Sequence, residues 1–133
     1  VIGIVIVAHG GLAREYLAAV EHVVGPQEGI RAITIEDEHD RAAKQAEIRA
    51  AADAVDTGDG VVVVTDMFGG SPSNLSLLAC EACEREIVYG ANLPLLIKLA
   101  KSRSLGVHAA VEAALDAGRK YINSYSAYGM GGK

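Results

Sequence analysis

Val1-Ile2-Gly3-Ile4-Val5-Ile6-Val7-Ala8-His9-Gly10-Gly11 opens the chain, and its first eight residues are apolar without polar alternation. A strand with one wet face alternates, whereas a strand covered by helices on both faces does not. Val61-Val62-Val63-Val64-Thr65 repeats the signature mid-chain. The runs at residues 1–7 and 61–65 therefore read as buried strands of a parallel sheet, and 30–35 and 87–89 as two shorter ones. Helical patterns fill the intervals. Leu12, Tyr16, Ala19, Val20 and Val23 recur at helical spacing and stop at Gly25-Pro26. Residues 40–55 are rich in Ala, Lys, Glu and Arg and stop at Thr57-Gly58-Asp59-Gly60. Residues 71–84, 93–101 and 105–117 read as three more helices, with Gly118 closing the last. Residues 120–125 read as a short fifth strand and 126–133 as a loose, Gly-rich tail.

Strands alternating with helices call for crossover connections and a doubly wound, mostly parallel open α/β sheet with helices on both faces. No composition shift or repeat divides the 133 residues, so 1–133 is expected to be one domain. Hydrophobic residues make up 50% and charged residues 22%, which excludes global disorder. Twelve Lys and Arg against 17 Asp and Glu give a net charge of −5, the wrong sign for a nucleic-acid binder or an anionic membrane surface. The apolar opening run is far shorter than the ~20 residues of a membrane span, and no basic segment precedes it as in a signal peptide. Two cysteines make no disulfide framework. A cytoplasmic domain is the expectation.

Parallel strands point their C-terminal ends at one rim, where ligands bind beside the topological switch point. Residues just past each strand are thus the site candidates. His9 follows the first strand, and Gly10 and Gly11 leave its imidazole uncrowded. The helix starting near Leu12 aims free N–H groups at the same spot, which suits a phosphorylated side chain. Asp66 holds the equivalent place after the third strand. If those two strands are neighbours, its carboxylate accepts a hydrogen bond from one ring nitrogen of His9, fixes the tautomer and frees the other nitrogen as a nucleophile. It also stabilises the positive imidazolium character that phosphorylation creates. Gly69-Gly70-Ser71-Pro72-Ser73-Asn74 supplies an N-cap at Ser71, proline at the first helical position and two glycines ahead of them, an anion-binding arrangement. Ser71 either caps the helix or touches a phosphoryl oxygen. The stretch lacks a P-loop lysine, and the first loop lacks the dinucleotide glycine spacing.

Other features carry less. Cys80 and Cys83 form a CxxC inside the third helix, where no helix N-terminus lowers a thiol pKa, and no second pair completes a zinc site. They read as small apolar residues. His22 and His108 lie in helices without partners, and His39 sits in a solvated acidic loop. No GxSxG elbow is present. Neither metal nor cofactor is called for.

Three stretches resemble the IIA component of the mannose-type (mannose/fructose/sorbose) sugar phosphotransferase system. Ile4-Val5-Ile6-Val7-Ala8-His9-Gly10-x-Leu12-Ala13 is similar to its phosphorylation motif. Asp66-Met67-Phe68-Gly69-Gly70-Ser71-Pro72-Ser73-Asn74 resembles its second motif, and Gly90-Ala91-Asn92-Leu93-Pro94 its third. The resemblance implies that His9 is the phosphoacceptor, with Asp66 on its other ring nitrogen and the phosphoryl group near Ser71 and the Gly-rich loop; Gly10, Gly70 and Ser73 complete the expected phosphate-binding set. It implies phosphate received from the carrier HPr and passed to a IIB subunit, with a membrane IIC/IID pair moving the sugar. It further implies a homodimer exchanging a C-terminal strand, here residues 120–125. The phosphotransferase subunit of dihydroxyacetone kinase shares fold and histidine but lacks the Gly-Gly-Ser-Pro stretch. A stand-alone regulatory phosphoacceptor, controlling a partner protein by its phosphorylation state, would use the same residues. An unrelated anion-binding or hydrolytic domain using this rim is the third reading.

Overall fold

Alternate side chains of β1 (Gly3–His9) leave the sheet in opposite directions, and both directions are buried. In the computed structural model, which describes residues 1–67, 71–81 and 84–127, Ile4, Ile6 and Ala8 pack under α1 (Leu12–Val24), α4 (Leu93–Lys101) and α5 (Val107–Lys120). Val5 and Val7 pack on the other face under α2 (Arg41–Val55) and the single-turn α3 (Ser71–Leu75). Helices on both faces explain why β1 carries no polar alternation. Each fully buried Ile or Val of this kind contributes about 1.5–3 kcal/mol of hydrophobic stabilisation.

The sheet is all-parallel, in the order β2-β1-β3-β4, with β2 at Ile30–Ile35, β3 at Val61–Thr65 and β4 at Arg85–Val88. The chain leaves β1 toward β2 on one side and returns to β3 on the other. The switch point therefore lies between β1 and β3, which pair through Val7 and Thr65 at their C-terminal ends. The doubly wound α/β architecture read from the sequence is the one observed. Among the described residues no helix is long and apolar enough to cross a membrane.

Local boundaries differ in instructive ways. β1 extends through His9, so the histidine ends the strand instead of following it by two residues. β4 starts two residues before the expected run, because Arg85 and Glu86 extend the ladder against Val61 and Val62. The expected helix over 71–84 is not continuous. α3 stops at Leu75, where Ser76 Oγ donates back to the Pro72 carbonyl (2.6 Å), and a 3₁₀ turn follows at Leu78–Cys80. Gly118 does not end α5; it is buried inside it. A Cβ there would lie 3.1 Å from Leu95, so the glycine permits close α4–α5 packing. Residues 120–125 form no strand in the single chain. Lys120 closes α5, residues 122–124 have no regular structure, and residues 125–127 form a helical turn. A strand is defined by its partner, and this segment meets no sheet edge of its own chain. The rest of the expected tail, 128–133, and Cys83 lie outside the described residues.

Candidate functional site

His9 and Asp66 meet because β1 and β3 are neighbours in register. One carboxylate oxygen, Asp66 Oδ2, accepts the His9 backbone N–H at 3.0 Å and lies 2.8 Å from the ring Nδ1. A carboxylate offers only acceptors, so the ring proton between them belongs to Nδ1. In the neutral ring, Nε2 then carries a free lone pair. The histidine side chain is 50% exposed and the carboxylate 12%. The arrangement thus leaves half of the imidazole open to solvent and holds the carboxylate inside. Asp66 Oδ1 is buried and has no hydrogen-bond partner among the described residues, as is Thr65 Oγ1.

α1 begins directly beyond His9. Its N-cap position is Gly11, so among the described residues no side-chain cap bond covers the first N–H groups of this 13-residue helix. Gly10 has φ +56°, a left-handed conformation that turns the chain from strand to helix with open space beside it. Its own N–H donates to the Ile35 carbonyl (3.1 Å) and is not available to an anion. Ser71 is exposed at the first position of α3, whereas Ser73, two positions on, is buried. Gly70 lies outside the described residues. The structure therefore joins His9 and Asp66 in direct contact and leaves Ser71 as the accessible hydroxyl following β3.

Sequence reasoning passed over Tyr16. Read as one member of the apolar stripe of α1, it is half-buried against that core, yet its hydroxyl donates to the Ala91 carbonyl at 3.0 Å. Burial raises the phenol above its ordinary pKa, and the negative charge of Asp66 pushes the same way. The signal in the sequence was a hydroxyl at a core position, which needs a partner. The Gly90-Ala91-Asn92 stretch owes its place to backbone geometry: Gly90 has φ +77°, and Asn92 caps α4 by accepting the Leu95 N–H at 3.0 Å.

Two of the remaining histidines make contacts of their own. His39 Nδ1 lies 3.0 Å from the Glu36 carbonyl, and His108 is 93% exposed beside Glu112. Cys80 is partly buried, which pushes its thiol up to about 11 and keeps it protonated and unreactive near neutrality. Among the described residues no group of three or more His, Cys, Asp or Glu is placed to hold a metal ion.

A family model described as "PTS system fructose IIA component" matches residues 3–117. The mannose-specific EIIAB component of Escherichia coli (strain K12) is 28% identical over 129 residues, covering 95% of this chain and 40% of that protein. The chain thus spans less than half the length of that curated relative. Among solved structures, phosphotransferase system component EIIA from Streptococcus agalactiae superposes with a TM-score of 0.84 at 25% identity, covering 95% of this chain and 98% of that one. The PTS IIA protein associated with the fucose utilization operon of Streptococcus pneumoniae gives 0.78 at 27% identity, with 91% of each chain covered. The match from the first strand to the last helix, together with the paired strands that carry the rim, shows that the chain belongs to the mannose-type IIA family of the sugar phosphotransferase system.

Proposed function

We propose that the chain is a phosphohistidine carrier that accepts a phosphoryl group from phospho-HPr on His9 and passes it to a IIB component. The observation that carries this reading is the single carboxylate oxygen at 2.8 Å from His9 Nδ1 on a half-exposed imidazole. Nε2 supplies the lone pair that forms the new N–P bond as the P–N bond of the donor breaks, and that electron pair returns to the donor ring. The Nδ1 proton stays where it is. Asp66 stabilises the positive charge that the phosphorylated ring acquires. Catalysis is positioning and electrostatics, because the partner brings the other reacting group. The N-terminus of α1 and the Ser71 hydroxyl favour the phosphoryl oxygens, with Gly70 and Ser73 the sequence neighbours proposed to join them and Gly10 keeping the approach open.

On this reading residues 1–133 are one cytoplasmic IIA domain, and the IIB partner hands the group on to the sugar transported by a membrane IIC/IID pair. Residues 120–125 are the arm exchanged between two copies. Tyr121, Ile122 and Tyr125 are 62%, 73% and 94% exposed in the single chain, and among the described residues β4 is an edge strand. Such apolar exposure favours a covering partner.

Incubation with phosphoenolpyruvate and the upstream phosphorelay proteins is expected to add one acid-labile phosphoryl group, seen by intact mass, that a IIB acceptor then removes. His9→Ala is expected to take up none. Equal labelling of wild type and His9→Ala would refute the assignment.

A further inference from the structure

We propose that Tyr16 is a positioning residue for the His9–Asp66 pair, acting through a hydrogen-bonded strap from Tyr16 to Ala91 to Thr65 that fixes the end of β3. The proposal rests on the carrier reading of His9 and adds a residue to it.

The strap begins where the sheet stops. The β3–β4 ladder ends at Val64 and Val88, so β4 no longer supports Thr65, the residue before Asp66. In place of the ladder, the Ala91 N–H donates to the Thr65 carbonyl at 3.0 Å. Ala91 is itself held from the other side, its carbonyl accepting the Tyr16 hydroxyl across 75 positions of sequence. The next residue, Asn92, donates through Nδ2 to the Gly118 carbonyl at 2.9 Å. Loop 90–92 is therefore a rigid bar anchored on α1, α5 and β3.

Asp66 has particular need of such a bar. Its Oδ2 takes both His9 donors, while its Oδ1 is buried and has no partner among the described residues. Among the described residues, no side-chain bond on the Oδ1 side sets the rotation of the carboxylate. Its aim at Nδ1 then depends on where the backbone at 65–66 is held. Packing alone accounts for an aromatic ring at position 16 but not for the hydroxyl, which a phenylalanine would lack. A phenol is protonated at neutral pH in any case, and burial, followed by the Asp66 charge, shifts this one further in that direction.

The test uses ¹⁵N spectra of the four histidines, with the His9 signals identified by their loss in His9→Ala. Wild type is expected to show the Nδ1–H tautomer at His9. Tyr16→Phe, which keeps the ring, is expected to show a mixture of tautomers at His9. Its phosphoryl acceptance is expected to slow about fivefold to tenfold at unchanged apparent KM for the donor protein. Tyr16→Leu, which also removes the hydroxyl, should give the same ring signature. An unchanged His9 signature in Tyr16→Phe, whatever its rate, overturns the proposal. So does a change seen only in Tyr16→Leu, which would assign the effect to ring volume. If wild type accepts no phosphate, the carrier reading fails by itself, and the ¹⁵N spectra still decide the role of Tyr16.

Discussion

The two ends of the sheet are built from the same strands and use their side chains differently. At the N-terminal rim, Arg103 donates Nε to the Ile2 carbonyl at 2.7 Å and Nη1 to the Glu28 carbonyl at 2.6 Å, with Nη2 reaching Gly29 at 3.3 Å. Gly3 N–H donates to the Gly60 carbonyl and Ile4 N–H to Gly29, so the strand starts are laced together. At the C-terminal rim, Thr65 Oγ1 and Asp66 Oδ1 are buried without partners among the described residues, and His9 is half exposed. The N-terminal rim commits Arg103 to backbone carbonyls, with Arg85 Nε the buried atom there that lacks a partner among the described residues; the C-terminal rim carries the exposed imidazole and two such buried oxygens. Substitutions should therefore separate stability from phosphoryl transfer according to the rim they touch.

Gly60→Ala should produce the largest loss of stability. Gly60 has φ +100°, and a Cβ would fall on the Glu84 carbonyl oxygen and the Val107 side chain. Backbone strain and a clash against backbone, which moves less readily than a side-chain tip, add together. A cost of roughly 3 kcal/mol or more is expected in urea unfolding. A loss below about 1 kcal/mol would show that this rim is softer than its contacts imply.

Arg103→Met comes next. It keeps much of the aliphatic stem and deletes three donors to backbone carbonyls, for an expected cost of about 2–4 kcal/mol. Below its lowered melting temperature the variant should accept phosphate at the wild-type rate, because Arg103 and His9 lie at opposite rims. A matching fall in the rate would erase the distinction between the two ends.

The same distinction explains what the sequence disclosed. The buried strands were legible because continuous Val and Ile runs have one physical meaning in a two-faced sheet, and His9, Asp66 and Ser71 followed from their places after strands. Gly118 was misread because a glycine near a helix end signals a stop, whereas here close contact with Leu95 decided. The third helix was read too long because Ser76 looks like any mid-helix residue until its hydroxyl bonds the Pro72 carbonyl. Residues 120–125 carry a strand-like pattern that no edge of the single chain receives. Tyr16 escaped notice because its partner is a backbone carbonyl 75 positions away, and carbonyls leave no trace in residue identity. Candidate residues were readable where a side chain marks the position and hidden where the partner is a backbone atom.

Asp66→Asn should change stability least and chemistry most. The asparagine oxygen can take the place of Oδ2 and accept from both His9 donors, while its NH₂ enters the buried space where Oδ1 has no partner. The lost charge assistance at one oxygen and the relief of an uncompensated one at the other nearly cancel, so unfolding free energy should stay within ~1 kcal/mol of wild type. The His9 tautomer should persist, since an acceptor still faces Nδ1. Lost instead is the negative charge that, on the carrier reading, balances a phosphorylated ring. Phosphoryl acceptance should fall about 10²-fold or more, with the phospho-form shorter-lived. A variant that stays folded, keeps the Nδ1–H signature and still accepts phosphate at the wild-type rate would assign Asp66 to orientation alone. The C-terminal rim would then hold its carboxylate for geometry and not for charge.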